Sequence, residues 1–181
     1  MTTRKTFKAA AVLVALLGCH MTSYAVDSTS IEFGTGNKTQ LARLGMQWKW
    51  NDRWWQSNGT HVSGYWDLTI ARWRGTQYQN TPDSTQNITS IGITPVFRFE
   101  KDSQKGLYGE AGIGAHYLSD LYNNNDRRLS TRFEFGDHLA IGYVFQNSLD
   151  LGLKIQHFSN GGIKHPNSGV NFAVVRLSYP F

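Results

Sequence analysis

The chain has 181 residues, 40% of them apolar, yet its mean hydropathy is −0.41. Its formal charge is +5, but setting aside Arg4, Lys5 and Lys8 leaves 15 basic residues against 13 acidic ones, a balance that does not point to nucleic acid. Cys19 is the sole cysteine, which excludes disulfides, thiolate zinc sites and cysteine nucleophiles beyond it, and no later run of apolar residues is long enough for a transmembrane helix.

Taken in chain order, residues 1–25 come first. Arg4, Lys5 and Lys8 form a basic start, Ala9–Leu17 an apolar run too short to span a bilayer, and Ser23-Tyr24-Ala25 a cleavage site with small residues at −3 and −1. This predicts a secretory signal peptide over residues 1–25 and a mature domain over 26–181. The stretch ending at Cys19 loosely resembles a lipoprotein signal, but Leu17 is large for its position.

The remainder alternates apolar and polar residues with period two, in segments of roughly ten, which is the pattern of β-strands with two unlike faces. Eight strands are predicted, over 29–36, 40–50, 61–73, 88–100, 106–118, 131–145, 148–159 and 169–181. In the second, Leu44 and Met46 oppose Arg43 and Gln47; in the fourth, Ile91, Ile93 and Phe97 oppose Gly92, Thr94 and Arg98. The sixth sets Phe133, Phe135, Leu139 and Ile141 against Glu134, Gly136, His138 and Ala140. The face opposite the apolar row reads throughout as small, polar or charged.

A soluble sandwich also alternates, so the pattern alone does not separate it from a membrane barrel. The C-terminus does. Ala173, Val175, Leu177, Tyr179 and Phe181 form an unbroken apolar row that ends on a terminal Phe, which resembles the terminal-strand assembly signal of bacterial outer-membrane barrels. With the signal peptide, and six Trp and eight Tyr for interfacial belts, this predicts an all-β fold, an eight-stranded antiparallel transmembrane β-barrel. Both termini then lie in the periplasm, and 74–87, 119–130 and 160–168 are extracellular loops. Such a barrel is filled by side chains and is no pore. Arg43, Asp67, Arg98, Glu110, Glu134, His138 and Lys154 are expected to face the interior and partner one another, which makes Glu110 and Glu134 poor catalytic candidates.

The seventh strand ends in His157-Phe158-Ser159. Counting by twos from Leu149 puts His157 and Ser159 on the lipid-facing row at the extracellular rim; counting back from Phe181 puts Asn171 on that face of the next strand, at the same height. A polar rim above the hydrocarbon would explain such residues without chemistry. Yet a hydroxyl beside an imidazole is also how a weak nucleophile acquires its base.

The stretch from His157 to Gly169, "HFSNGGIKHPNSG", resembles the signature of the lipid A 3-O-deacylases, the PagL family of outer-membrane enzymes, and the likeness continues through "YGEAGIGAHYLS" (108–119) and "FEFGDHLAIGYVF" (133–145). The resemblance implies an esterase that needs no cofactor or metal and acts on lipopolysaccharide in the outer leaflet. It would release the 3-hydroxyacyl chain at position 3 of lipid A, with Ser159 as nucleophile and His157 as general base. It matches Asn160 and Asn167 to asparagines of the family motif; these amides, with the N–H groups of Gly161 and Gly162, are candidate oxyanion donors. The family's third member is a Glu fourteen residues after the His, where this chain has Asn171. Asn171 can orient the imidazole without adding charge, or an acid such as Asp120 or Asp126 can take its place. Arg127, Arg128 and Lys164 sit in loops where lipid A phosphates would lie. Two other classes fit the residues: a structural or adhesive barrel, and an outer-membrane acyltransferase.

Overall fold

In a computed structural model, residues 25–181 are described; the predicted signal peptide falls almost wholly outside them. Eleven strands form: β1 (Ser28–Gly36), β2 (Thr39–Lys49), β3 (Trp54–Ser57), β4 (Thr60–Gly75), β5 (Gln86–Lys101), β6 (Gly106–Leu118), β7 (Asn123–Asn124), β8 (Arg127–Arg128), β9 (Phe133–Val144), β10 (Asp150–Ser159) and β11 (Val170–Pro180). Eight of them are the staves of a closed antiparallel barrel in the order β1, β2, β4, β5, β6, β9, β10, β11. The sheet runs from β2 through β1 and β11 round to β4, and the β2–β4 pairing closes it. Each predicted strand is present, with bounds shifted by two residues or fewer. Closure removes the unpaired edges that an open sheet would expose.

The short strands were not anticipated. β3 forms a hairpin with β4 at the end of the barrel that carries the termini, beside an aromatic group in which Trp50 lies 5.1 Å from Phe97 and 5.7 Å from Trp54. β7 and β8 pair in the loop that links β6 to β9 at the other end. That loop is tied to the β1–β2 turn, where Asn37 Nδ2 donates to Asn124 O over 2.7 Å.

The outer wall is apolar. Ile70, Ile113, Leu139, Ile141 and Ile155 are each more than half exposed there, an arrangement that suits lipid and not water. The interior has two layers. Toward the termini, Glu32 takes hydrogen bonds from Arg43 Nη1 and Lys154 Nζ, both at 2.7 Å. Beside them Arg98 reaches Asp150 at 2.8 Å and pairs with Glu110, while Arg176 bridges Glu110 at 3.2 Å and Asp150 at 3.3 Å. Arg43, Lys154, Arg98 and Arg176 thus partner Glu32, Glu110 and Asp150, as burial requires.

Two expectations need correction. His138 and Asp67 do not join this network: neither ring nitrogen of His138 and not Oδ1 of Asp67 has a hydrogen-bond partner among the described residues, and Glu134 takes its bond from Thr131 Oγ1 at 2.9 Å. The inner face is also not polar throughout. At the loop end Trp73, Phe158, Phe172 and Tyr122 fill the lumen, with Trp73 4.7 Å from Phe158 and 5.0 Å from Phe172. Trp73 is therefore in the core and not in an interfacial belt. An eight-stranded barrel leaves room only for side chains, and here apolar ones stopper the end under the loops.

Candidate active site

β10 alternates cleanly. Phe158 points inward and is fully buried in the stopper, so His157 and Ser159 on either side of it must face outward, where both are half-buried. β11 does the same around Phe172, which sends Asn171 to the outer face opposite His157 in register. His157 Nδ1 donates to Asn171 Oδ1 over 2.6 Å, the contact anticipated from strand parity. That bond fixes the ring and leaves Nε2 free for proton transfer. Among the described residues no hydrogen bond joins Ser159 to His157, and such bonds often tighten only once substrate is in place.

The loop after Ser159 is built by its asparagines. Asn160 is completely buried. Its Oδ1 accepts from Gly162 N over 3.0 Å, its Nδ2 donates to Lys164 O over 2.8 Å and to Ser130 Oγ over 3.3 Å, and its own N donates to Asn167 Oδ1 over 3.1 Å. Both amide hydrogens of Asn160 and the N–H of Gly162 are thereby committed to holding the loop. Asn167 Nδ2 and the N–H of Gly161 have no acceptor among the described residues, and Asn167 lies against the peptide that follows Ser159.

This loop is joined to the one carrying the arginines. Leu129 bridges Asn167, Ser168 N donates to Arg128 O over 3.0 Å, and Arg127 Nη1 donates to Ser168 O over 2.8 Å. Ser130 Oγ adds a bond to Lys164 O over 2.7 Å. Arg127, Arg128 and Lys164, all exposed, thus gather on one rim beside His157 and Ser159. Asp120 and Asp126 do not bond to His157. The Oδ1 of Asp120 takes the hydrogen bond of Leu121 N, and Asp126 is exposed on the β7–β8 turn.

Two residues of the site went unread in the sequence. Gly169, at φ +64°, turns the chain into β11 directly beneath the imidazole, and a Cβ there would stand 2.5 Å from His157 Cε1. Glycine is needed both for that backbone and for that contact. Asp137 on β9 is the cross-strand neighbour of His157 on the side away from Asn171. Its signal was visible: it interrupts the apolar row between Phe135 and Leu139. Below His157 the wall opens into a trough of about 550 Å³, walled by Phe97, Ile113, Leu139 and Ile155 and floored by Ala111 and Gly112, with Asp137 at its edge.

Comparison with known proteins identifies the family. Residues 40–180 match the family model described as lipid A 3-O-deacylase (PagL). The lipid A deacylase PagL of Pseudomonas aeruginosa is 34% identical over 163 residues, covering 88% of this chain and 90% of that protein. Its Bordetella bronchiseptica counterpart is 30% identical over 152 residues, covering 84% and 82%. The crystal structure of the outer membrane enzyme PagL superposes with a TM-score of 0.73 at 27% identity, over 85% of this chain and 99% of that one. The barrel is thus an outer-membrane hydrolase, and the chain belongs to the lipid A 3-O-deacylase (PagL) family.

Proposed function

We propose that Ser159 and His157 carry out lipid A 3-O-deacylation in this chain, on the outer face of the barrel at the extracellular rim. His157 Nε2 takes the Ser159 proton as Oγ attacks the ester carbonyl at position 3 of lipid A. The tetrahedral intermediate collapses, the proton passes to the departing sugar oxygen, and a 3-hydroxyacyl group remains on Ser159. Water, activated by the same imidazole, then frees the fatty acid.

Asn171 orients His157 through the Nδ1 bond. Asn167 Nδ2 and Gly161 N–H are the uncommitted donors for the oxyanion, while Asn160 and Gly162 serve by shaping the loop that presents them. The trough below His157 accepts the acyl chain, and Arg127, Arg128 and Lys164 meet the phosphate groups above it. Hydrolysis of one ester bond asks for no metal or organic cofactor. The observation that carries this reading is the 2.6 Å His157–Asn171 bond on a largely apolar lipid-facing wall, two residues from Ser159.

The test is mass spectrometry of lipid A after incubation with the refolded chain. Loss of one 3-hydroxyacyl group, with free 3-hydroxy fatty acid in equal amount, supports the reading. The acyl group appearing on an acceptor lipid would show transfer instead, and a Ser159→Ala chain that still deacylates would refute the assignment.

A further inference from the structure

Of the side chains on the site wall, Asp137 has no part in the mechanism above. It lies on β9 in the outward row of Phe133, Phe135, Leu139 and Ile141. Its backbone is in register with His157 on one flank and with Ile113 on the other. The imidazole therefore stands between two cross-strand partners, Asn171 on β11 and Asp137 on β9. Asn171 supplies a bond and no charge. Asp137 is the converse: among the described residues it makes no hydrogen bond or ion pair.

A half-buried carboxylate facing lipid without a partner costs stability, and residues kept in such places are usually functional. Facing side chains on paired strands stand about 5 Å apart at Cβ. At the edge of a hydrocarbon region a charge at that range acts far more strongly than it would in water.

We propose that Asp137 supplies the negative charge that Asn171 lacks. It is a positioning residue acting through His157: its carboxylate stabilises the imidazolium formed when Nε2 takes the Ser159 proton. It takes no proton from the ring: the imidazolium returns its proton to the leaving sugar oxygen. Ring orientation and charge, which a single Glu could provide from position 171, are here divided between two strands. The inference rests on the Ser159–His157 reading.

The test uses the refolded full chain, with lipopolysaccharide as substrate and heat-modifiable gel mobility as the check on folding. Asp137→Asn should lower kcat roughly tenfold and leave KM unchanged, because the charge is felt only once imidazolium forms. Asp137→Glu should retain activity. Adding Asn171→Glu to Asp137→Asn should restore turnover by returning a charge from the opposite strand. Ser159→Ala runs beside them: if that variant deacylates, the reading beneath the proposal has failed. If it is inert while Asp137→Asn keeps its kcat, Asp137 alone has been misassigned. A loss in Asp137→Asn confined to KM, or seen only with acyl chains bearing a 3-hydroxyl, would assign Asp137 to substrate recognition and overturn the proposal.

Discussion

The two layers of the barrel interior hold the same wall in opposite ways. Toward the termini, Glu32, Arg43, Lys154, Arg98, Glu110, Asp150 and Arg176 are tied by directed, charge-assisted bonds. At the loop end Phe158 and Phe172 are held by close packing, and Trp73 adds to its packing a single hydrogen bond from Nε1 to Ser90 Oγ over 3.1 Å. His157, Ser159 and Asn171 alternate with Phe158 and Phe172, so these outward side chains stand on the reverse of the packed layer. Charge-assisted bonds hold only while both partners remain, whereas a packed layer transmits any loss of volume directly to its neighbours. The lower layer secures the barrel; the upper one sets where the imidazole and hydroxyl stand.

The largest expected effect isolates the wall from both layers. Ser159→Ala and His157→Ala should each lower kcat by about 10⁴-fold or more, and the double variant should be no worse, since nucleophile and base act as a unit. Neither should change the denaturation midpoint, because both side chains are outside the core; a large shift would mean that they support the fold.

Next come truncations within the layers. Phe158→Ala should cost about 3–5 kcal/mol of stability and also lower kcat, since the cavity lies directly behind the site. Glu32→Gln removes the charge that Arg43 and Lys154 share and should cost a similar amount, about 3–5 kcal/mol, yet leave the kcat of the folded fraction near normal. Chemical denaturation combined with turnover per folded molecule compares the two. Equal effects on kcat would erase the distinction between the layers.

Smaller still is the loop donor. Asn167→Ala should lower kcat by about 10²–10³-fold with KM little changed if its amide meets the oxyanion. Asn160→Ala should instead show itself as faster proteolysis of residues 160–169. The smallest effect belongs to Asn171: Asn171→Leu should lower turnover roughly tenfold, and Asn171→Glu should match or exceed the parent. A silent Asn171→Leu would mean that packing against Gly169 suffices to seat the ring.

How much of this was readable follows from what each feature leaves in a linear pattern. The barrel was legible because lipid on one side and lumen on the other impose strict alternation, and because Phe181 ends its row. The His157–Asn171 contact followed from the same parity. The aromatic stopper was not legible: Trp73, Phe158 and Phe172 are apolar residues on the inner rows of three alternating strands, and composition counts Trp73 with the belts. The joining of loops 119–130 and 160–168 runs through single bridges such as Leu129–Asn167, which carry no periodicity. Gly169 reads as an ordinary turn residue until the ring above it is seen.

On the proposed assignment, the half-buried setting of His157 and Ser159 on the outer wall also fixes the dimensionality of catalysis. A lumenal site would draw its substrate from solution, whereas a site on this wall meets it by lateral diffusion within one leaflet. The governing concentration is then a surface mole fraction. Diluting lipopolysaccharide into inert lipid should slow the enzyme even when the amount per litre is constant. By the same logic, any neighbouring protein that docks along β9, β10 and β11 would silence the enzyme by shielding it, without altering a single bond within the site.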